Sequence, residues 1–83
     1  MYRLAYDQRV EKDLHRIPKS QRRLLLQRIE LLPTEPRRPQ VEKLTGLEGY
    51  RLRVGDYRVL LTIDDARKLV TIYRILHRRE AYR

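Results

Sequence analysis

Cysteine, tryptophan and phenylalanine are missing from this chain, and histidine occurs twice, at positions 15 and 77. Without thiols there is no disulfide framework, no thiolate metal site and no cysteine nucleophile, and two histidines so far apart make zinc chemistry improbable. No metal and no cofactor is expected. Long apolar runs are also absent. No stretch approaches the roughly 18 apolar residues of a spanning helix, and the opening MYRLAYDQR lacks the apolar segment of a signal peptide, so the chain is expected to be soluble and cytoplasmic, without a membrane partner. Negative charge is scarce: 11 acidic residues face 20 basic ones, giving a formal +9 and a pI near 10.5. That excess must meet an anion or repel itself, and it disfavours enzymes built on a carboxylate pair acting on acidic substrates.

What is present fits one small domain, residues 1–83, of 10.2 kDa. A domain of this size buries only about 60–65% of its unfolded surface, so a shallow surface site is expected rather than a pocket through the core. A hydrophobic share of 41% supports folding despite 37% charged residues.

Tyr2, Leu4 and Tyr6 alternate as in an opening strand. Asp7 is positioned to cap a helix with Val10, Leu14 and Ile17 on its apolar stripe and Arg9, Glu11, Lys12 and Asp13 on its wet side; Pro18 ends it. Ser20 is the expected N-cap of a second helix, whose stripe runs through Leu25, Ile29 and Leu32 to Pro33. PTEPRRP, residues 33–39, carries three prolines and reads as a connector. The period then becomes two. Tyr50, Leu52 and Val54 alternate with Arg51 and Arg53, Gly55-Asp56 intervenes, and Tyr57, Val59, Leu61 and Ile63 continue the apolar phase. Gly-Asp between alternating runs predicts a type II′ hairpin with Gly55 at positive φ. A turn over 64–67 and a strand from Lys68 to Ile75 complete a meander. The fold class is α+β: an N-terminal strand, a helical hairpin, then a three-stranded antiparallel meander, with both helices on one face of a single antiparallel sheet.

A two-residue loop at Gly55-Asp56 pairs Val54 with Tyr57, Arg53 with Arg58, Leu52 with Val59 and Arg51 with Leu60. Two arginines then oppose each other, which costs about 0.2–1 kcal/mol in a sheet without a compensating anion. Guanidinium forks suit phosphate oxygens, so Arg51, Arg53 and Arg58 on one face form a candidate phosphate-binding surface. A four-residue second loop pairs Leu61 with Val70 and Val59 with Ile72, and sets Arg58 opposite Tyr73. The tail adds Arg74, His77, Arg78, Arg79, Tyr82 and Arg83 with only Glu80 opposing. All six aromatics are tyrosine. Charge for phosphates beside flat rings for unstacked bases is what single-stranded RNA needs. Tyr50 and Tyr57 follow the apolar phase and are assigned to the core, whereas Tyr82 stands outside any apolar rhythm.

Leu44-Thr-Gly-Leu47, the run from Tyr50 to Asp65, and Ile75-Leu-His-Arg-Arg-Glu-Ala-Tyr-Arg83 together resemble the RelE branch of the RelE/ParE toxin superfamily. Chain length and element order agree, so the resemblance covers essentially the whole chain. It implies the toxin of a type II toxin–antitoxin pair: a metal-independent endoribonuclease that cuts messenger RNA in the ribosomal A site by attack of the 2′-hydroxyl on the adjacent phosphate. It also implies a cognate antitoxin, contacts with 16S ribosomal RNA, and a toxin–antitoxin complex that binds operator DNA through the antitoxin.

Position by position, the family's two basic residues after the Leu-Thr-Gly turn match Arg51 and Arg53, its next-strand arginine Arg58, its tail arginine Arg78 and its near-terminal tyrosine Tyr82. Best-known members carry lysine where this chain has Arg51 and Arg53. Arginine cannot accept a proton at neutral pH, so neither is a general base. Arg58 and Arg78 are then expected to clamp the scissile phosphate, Arg51 and Arg53 to position the backbone and acidify the 2′-hydroxyl, Tyr82 to stack on the nucleotide or orient that hydroxyl, and His77 to transfer protons. Arg37, Arg38, Tyr73, Arg74, Arg79 and Arg83 are the candidate RNA contacts. Two alternatives stand beside the nuclease: a ParE-like inhibitor of DNA gyrase that shares the fold without cleaving phosphates, and a catalytically weakened nucleic-acid-binding remnant.

Overall fold

A computed structural model describes residues 1–46 and 48–81. Alternation first produces β1 (Arg3–Tyr6), followed by α1 (Gln8–His15) and α2 (Lys19–Ile29). Asp7 caps α1 as its position predicts, its carboxylate accepting from the Arg9 amide at 2.9 Å. The second helix differs from expectation. It begins at Lys19 with Pro18 in the cap position and no side-chain cap, because the proline ring carries no acceptor for the first-turn amides. Ser20 therefore lies within the first turn, and helical geometry stops at Ile29, with turns carrying Leu32 into the core.

The remaining elements are β2 (Val41–Lys43), β3 (Tyr50–Val54), β4 (Tyr57–Asp64), β5 (Leu69–His77) and a helical turn α3 (Arg78–Ala81). The sheet has five strands in the order β1-β5-β4-β3-β2. Two features depart from the sequence reading. β1 runs parallel to β5, so the sheet is mixed, the helical hairpin serving as the crossover between them. The short strand β2 adds to the far edge, pairing Glu42 with Arg51; three residues after a proline-rich connector are too few to show a period of two.

The β3–β4 hairpin has the predicted register throughout, with Arg53 opposite Arg58 and Gly55 at φ +56°. The β4–β5 hairpin does not. Leu61 pairs with Ile72 and Ile63 with Val70, so the loop lies one residue later, at 65–68, and a bulge between Leu60 and Leu61 then shifts the pairing so that Arg58 faces Leu76 rather than Tyr73. The bulge has a physical reason. Val70, Ile72 and Ile75 are all buried, and a spacing of two followed by three reaches one face only if an extra residue is inserted.

Helices and sheet enclose a core of Val10, Ile17, Leu25, Ile29 and Leu32 against Leu52, Val54, Val59, Leu61, Val70, Ile72 and Ile75. Tyr50 and Tyr57 pack against it, as their phase implies. Asp13 is the exception to the helical pattern. Expected on the wet side, it is 6% exposed and accepts from the Ile75 amide at 2.9 Å and from Arg74 Nε and Nη2 at 2.9 and 3.1 Å. It thereby fastens α1 to the edge of β5 beyond the end of β1, where the strand's donors would otherwise be unpaired.

Candidate nucleic-acid interface

Leu52, Val54 and Val59 point toward the helices, so their neighbours Arg51, Arg53 and Arg58 share the opposite face. The structure thus brings these three arginines together across the β3–β4 ladder. The repulsion between the facing pair is relieved by different partners. Arg53 is exposed and reaches Glu42 Oε1 at 3.4 Å, while Arg51 reaches Glu42 Oε2 at 3.2 Å. Arg58 is only 6% exposed. Its Nη1 donates to two carbonyl oxygens of the hairpin turn, Gly55 at 2.9 Å and Tyr57 at 2.8 Å. No carboxylate pairs with it among the described residues, and its buried Nε has no acceptor. An unsatisfied buried donor costs about 1–3 kcal/mol, more when charged, so this guanidinium is held in place at a cost.

The same hairpin turn positions Arg78. Its amide donates to the Asp56 carbonyl at 2.7 Å, and its Nε lies 3.8 Å from Asp56 Oδ1, with the side chain 55% exposed. Two arginines from distant parts of the chain therefore hang from residues 55–57.

Other candidates are placed elsewhere. His77 pairs with Tyr57, whose side chain is on the helix side; their rings meet edge to face at 5.6 Å. Its Nδ1 accepts from the Arg79 amide at 3.3 Å, and its own amide donates to Glu80. His77 is thus not brought to the arginine face. Arg79 is exposed on α3. Arg74 is committed to Asp13, which raises its pKa through hydrogen bonding. Tyr73 occupies the bulge, its hydroxyl 3.5 Å from where a Cβ on Gly49 would stand. Arg37 makes a bidentate pair with Asp65 at 3.0 and 2.9 Å and donates to the Tyr50 hydroxyl at 3.2 Å. Together with the Tyr2 hydroxyl, it pulls the Asp65 carboxyl down to about 2. Arg38 donates to the Leu31 carbonyl at 2.8 Å. These two arginines fasten the proline-rich connector to its surroundings. Tyr82 and Arg83 lie outside the described residues.

Three acidic residues pair with arginines in a way the sequence did not reveal: Glu42, Asp13 and Asp56. Only Asp13 carried a signal, since it falls between Val10 and Ile17 at helical spacing. Among the described residues no group of three or more potential ligands could hold a metal ion, and no helix is long and apolar enough to cross a membrane.

Comparison with solved structures returns chains of the same fold. A chain of the RelBE2 toxin–antitoxin complex from Mycobacterium tuberculosis is 28% identical with a TM-score of 0.83, over 92% of this chain and 96% of that one. A chain of the archaeal RelE–RelB complex from Pyrococcus horikoshii is 31% identical with a TM-score of 0.77, over 93% and 94%. The isolated RelE toxin of E. coli, at 21% identity and a TM-score of 0.78 over 99% and 96%, shares the fold. A search of curated protein sequences finds no match. The sequence model of the ParE toxin of type II toxin–antitoxin systems matches residues 4–82. The chain belongs to that family, within the RelE/ParE toxin superfamily.

Proposed function

We propose that this toxin is a metal-independent endoribonuclease that cuts messenger RNA in the ribosomal A site. The observation that carries this reading is Arg58: a guanidinium 6% exposed, without a carboxylate among the described residues and with an orphaned Nε, beside three further arginines. A domain that merely solvated its charges would leave this one in water. In the proposed reaction the 2′-hydroxyl oxygen attacks the adjacent phosphorus and loses its proton to water. The bond from phosphorus to the 5′ oxygen breaks, that oxygen takes a proton from water, and a 2′,3′-cyclic phosphate and a 5′-hydroxyl result. Arg58 and Arg78 stabilise the charge gathering on the non-bridging oxygens, an effect worth about 3–4 kcal/mol per preorganised donor. Arg51 and Arg53 hold the flanking backbone and favour ionisation of the 2′-hydroxyl. Tyr82 stacks on the nucleotide or orients the attacking group. With no lysine at 51 or 53 and His77 on the other face, the chain acts through charge and position, and proton transfer goes to solvent.

The relatives solved as toxin–antitoxin complexes support a cognate antitoxin for this chain; the basic charge suits an acidic or amphipathic antitoxin segment lying over the basic face and helices. Operator binding through that antitoxin and contacts of Arg37, Arg38, Tyr73, Arg74, Arg79 and Arg83 with RNA belong to the same proposal, as does a cytoplasmic site of action. The matched family model favours a second reading, a gyrase inhibitor without nuclease activity. Induced expression separates them. Translation arrest with cleaved messages supports the nuclease; a DNA-damage response with intact messages supports the gyrase inhibitor; unimpaired growth leaves a nucleic-acid-binding remnant.

A further inference from the structure

Glu42 has no place in the reaction just described, yet from the edge strand β2 it reaches two members of the arginine face. It stands directly opposite Arg51 in the β2–β3 ladder, and its two carboxylate oxygens go to different arginines: Oε2 to Arg51 Nη2 at 3.2 Å and Oε1 to Arg53 Nη2 at 3.4 Å. A phosphodiester presents its two non-bridging oxygens to a pair of guanidinium groups in the same way. Both contacts are accessible to solvent, the Glu42 side chain being 52% exposed, so the carboxylate can be displaced. We infer that Glu42 is a positioning residue that acts as an internal stand-in for an RNA backbone phosphate. It keeps Arg51 and Arg53 converged while the face is empty, and it must be displaced when RNA binds, so it lowers the affinity of the face for single-stranded RNA. The inference rests on the proposal that this face binds RNA.

Two consequences can be measured. Exchanging one anion for another releases fewer counterions than neutralising a phosphate without displacing a carboxylate, so Glu42 should flatten the salt dependence of binding. Loss of two exposed ion pairs should also strengthen binding by about two- to fivefold at low salt. The probe is a short single-stranded RNA with 2′-O-methyl groups, which cannot be cut. Its binding to the full chain is followed by fluorescence anisotropy across a salt series for wild type, Glu42→Gln, Glu42→Ala and Glu11→Gln. Glu11 is exposed on α1 and its substitution changes net charge equally away from the arginine face. The expected result is tighter binding by both Glu42 variants, with a slope of log affinity against log salt steeper by about 0.7, and no change of slope in Glu11→Gln. Equal slopes and affinities in Glu42→Gln and wild type would overturn the inference, as would an identical change in Glu11→Gln. The two proposals fail separately. RNA binding that responds to Glu42 with no cut transcripts removes the nuclease and leaves the stand-in, whereas cut transcripts with an unchanged slope do the reverse.

Discussion

Replacing Asp13 with Ala should cost this domain a large share of its stability. The carboxylate is 6% exposed and accepts three hydrogen bonds, from the Ile75 amide and from Nε and Nη2 of Arg74. Removing it leaves the Ile75 N–H buried without an acceptor, at about 1–3 kcal/mol. The Arg74 side chain is 31% exposed, so solvent screens the lost ion pair and adds only about 1 kcal/mol. The sum, about 2–4 kcal/mol, compares with a total of about 5–15 kcal/mol for an ordinary domain. At about 4–8 °C per kcal/mol for a chain of this length, thermal unfolding followed by circular dichroism should shift down by about 8–32 °C. Asp13→Asn, which keeps one acceptor, should fall between. A cycle with Arg74→Met should show a coupling of about 1 kcal/mol between the two side chains. A melting temperature for Asp13→Ala within about 3 °C of wild type would refute the claim that this contact holds α1 on the sheet edge.

At Gly49, φ is +117° and a Cβ would stand 2.8 Å from the Leu61 carbonyl oxygen, so Gly49→Ala should destabilise by about 2–3 kcal/mol in urea titrations. Gly46→Ala, with open space around it, should cost only the left-handed backbone penalty of about 1 kcal/mol, and equal losses at both positions would contradict the close-approach argument. Asp65 is held at about 2 by Arg37 and Tyr2, below the ordinary carboxyl value of about 3.9. A group depressed on folding contributes stability that is complete above its unfolded pKa and is lost as pH falls through the folded one. Wild type should therefore exceed Asp65→Asn in stability at neutral pH and converge with it near pH 2, and a gap constant with pH would exclude the linkage. Finally, His77→Gln should keep most of the cleavage rate, because the ring packs on Tyr57 on the helix side; a loss of about 100-fold or more would mark it as an acid or base after all.

The parts of the fold that local pattern dictates were legible. Asp7 before a helical stripe, proline after it, and Gly55-Asp56 between alternating runs each act within a few residues, and the β3–β4 register followed without other information. What required tertiary context was not. The parallel pairing of β1 with β5 depends on where the helical hairpin returns the chain, and β2 is fixed by its partner rather than by its own three residues. The β5 bulge was written in the spacing of Val70, Ile72 and Ile75, but a loop placed one residue early together with an assumed uniform alternation set Tyr73 opposite Arg58. The same limit applies to the arginine face. Its members could be grouped from alternation within one hairpin. Which arginines of the chain meet an acid could not be read, since Glu42, Asp56 and Asp13 reach theirs from β2, a turn and a helix.

The proposed nuclease depends most on the buried guanidinium of Arg58. The direct measurement is cleavage of messenger RNA on programmed ribosomes by purified wild type and Arg58→Ala, with the chemistry of the new ends determined and antitoxin binding used to check that the variant is folded. Wild type should leave a 2′,3′-cyclic phosphate and a 5′-hydroxyl without added metal, and Arg58→Ala should cut about 100- to 1,000-fold more slowly, the loss expected for one preorganised donor. Cleavage at the wild-type rate by folded Arg58→Ala, or intact message with wild type, would contradict it.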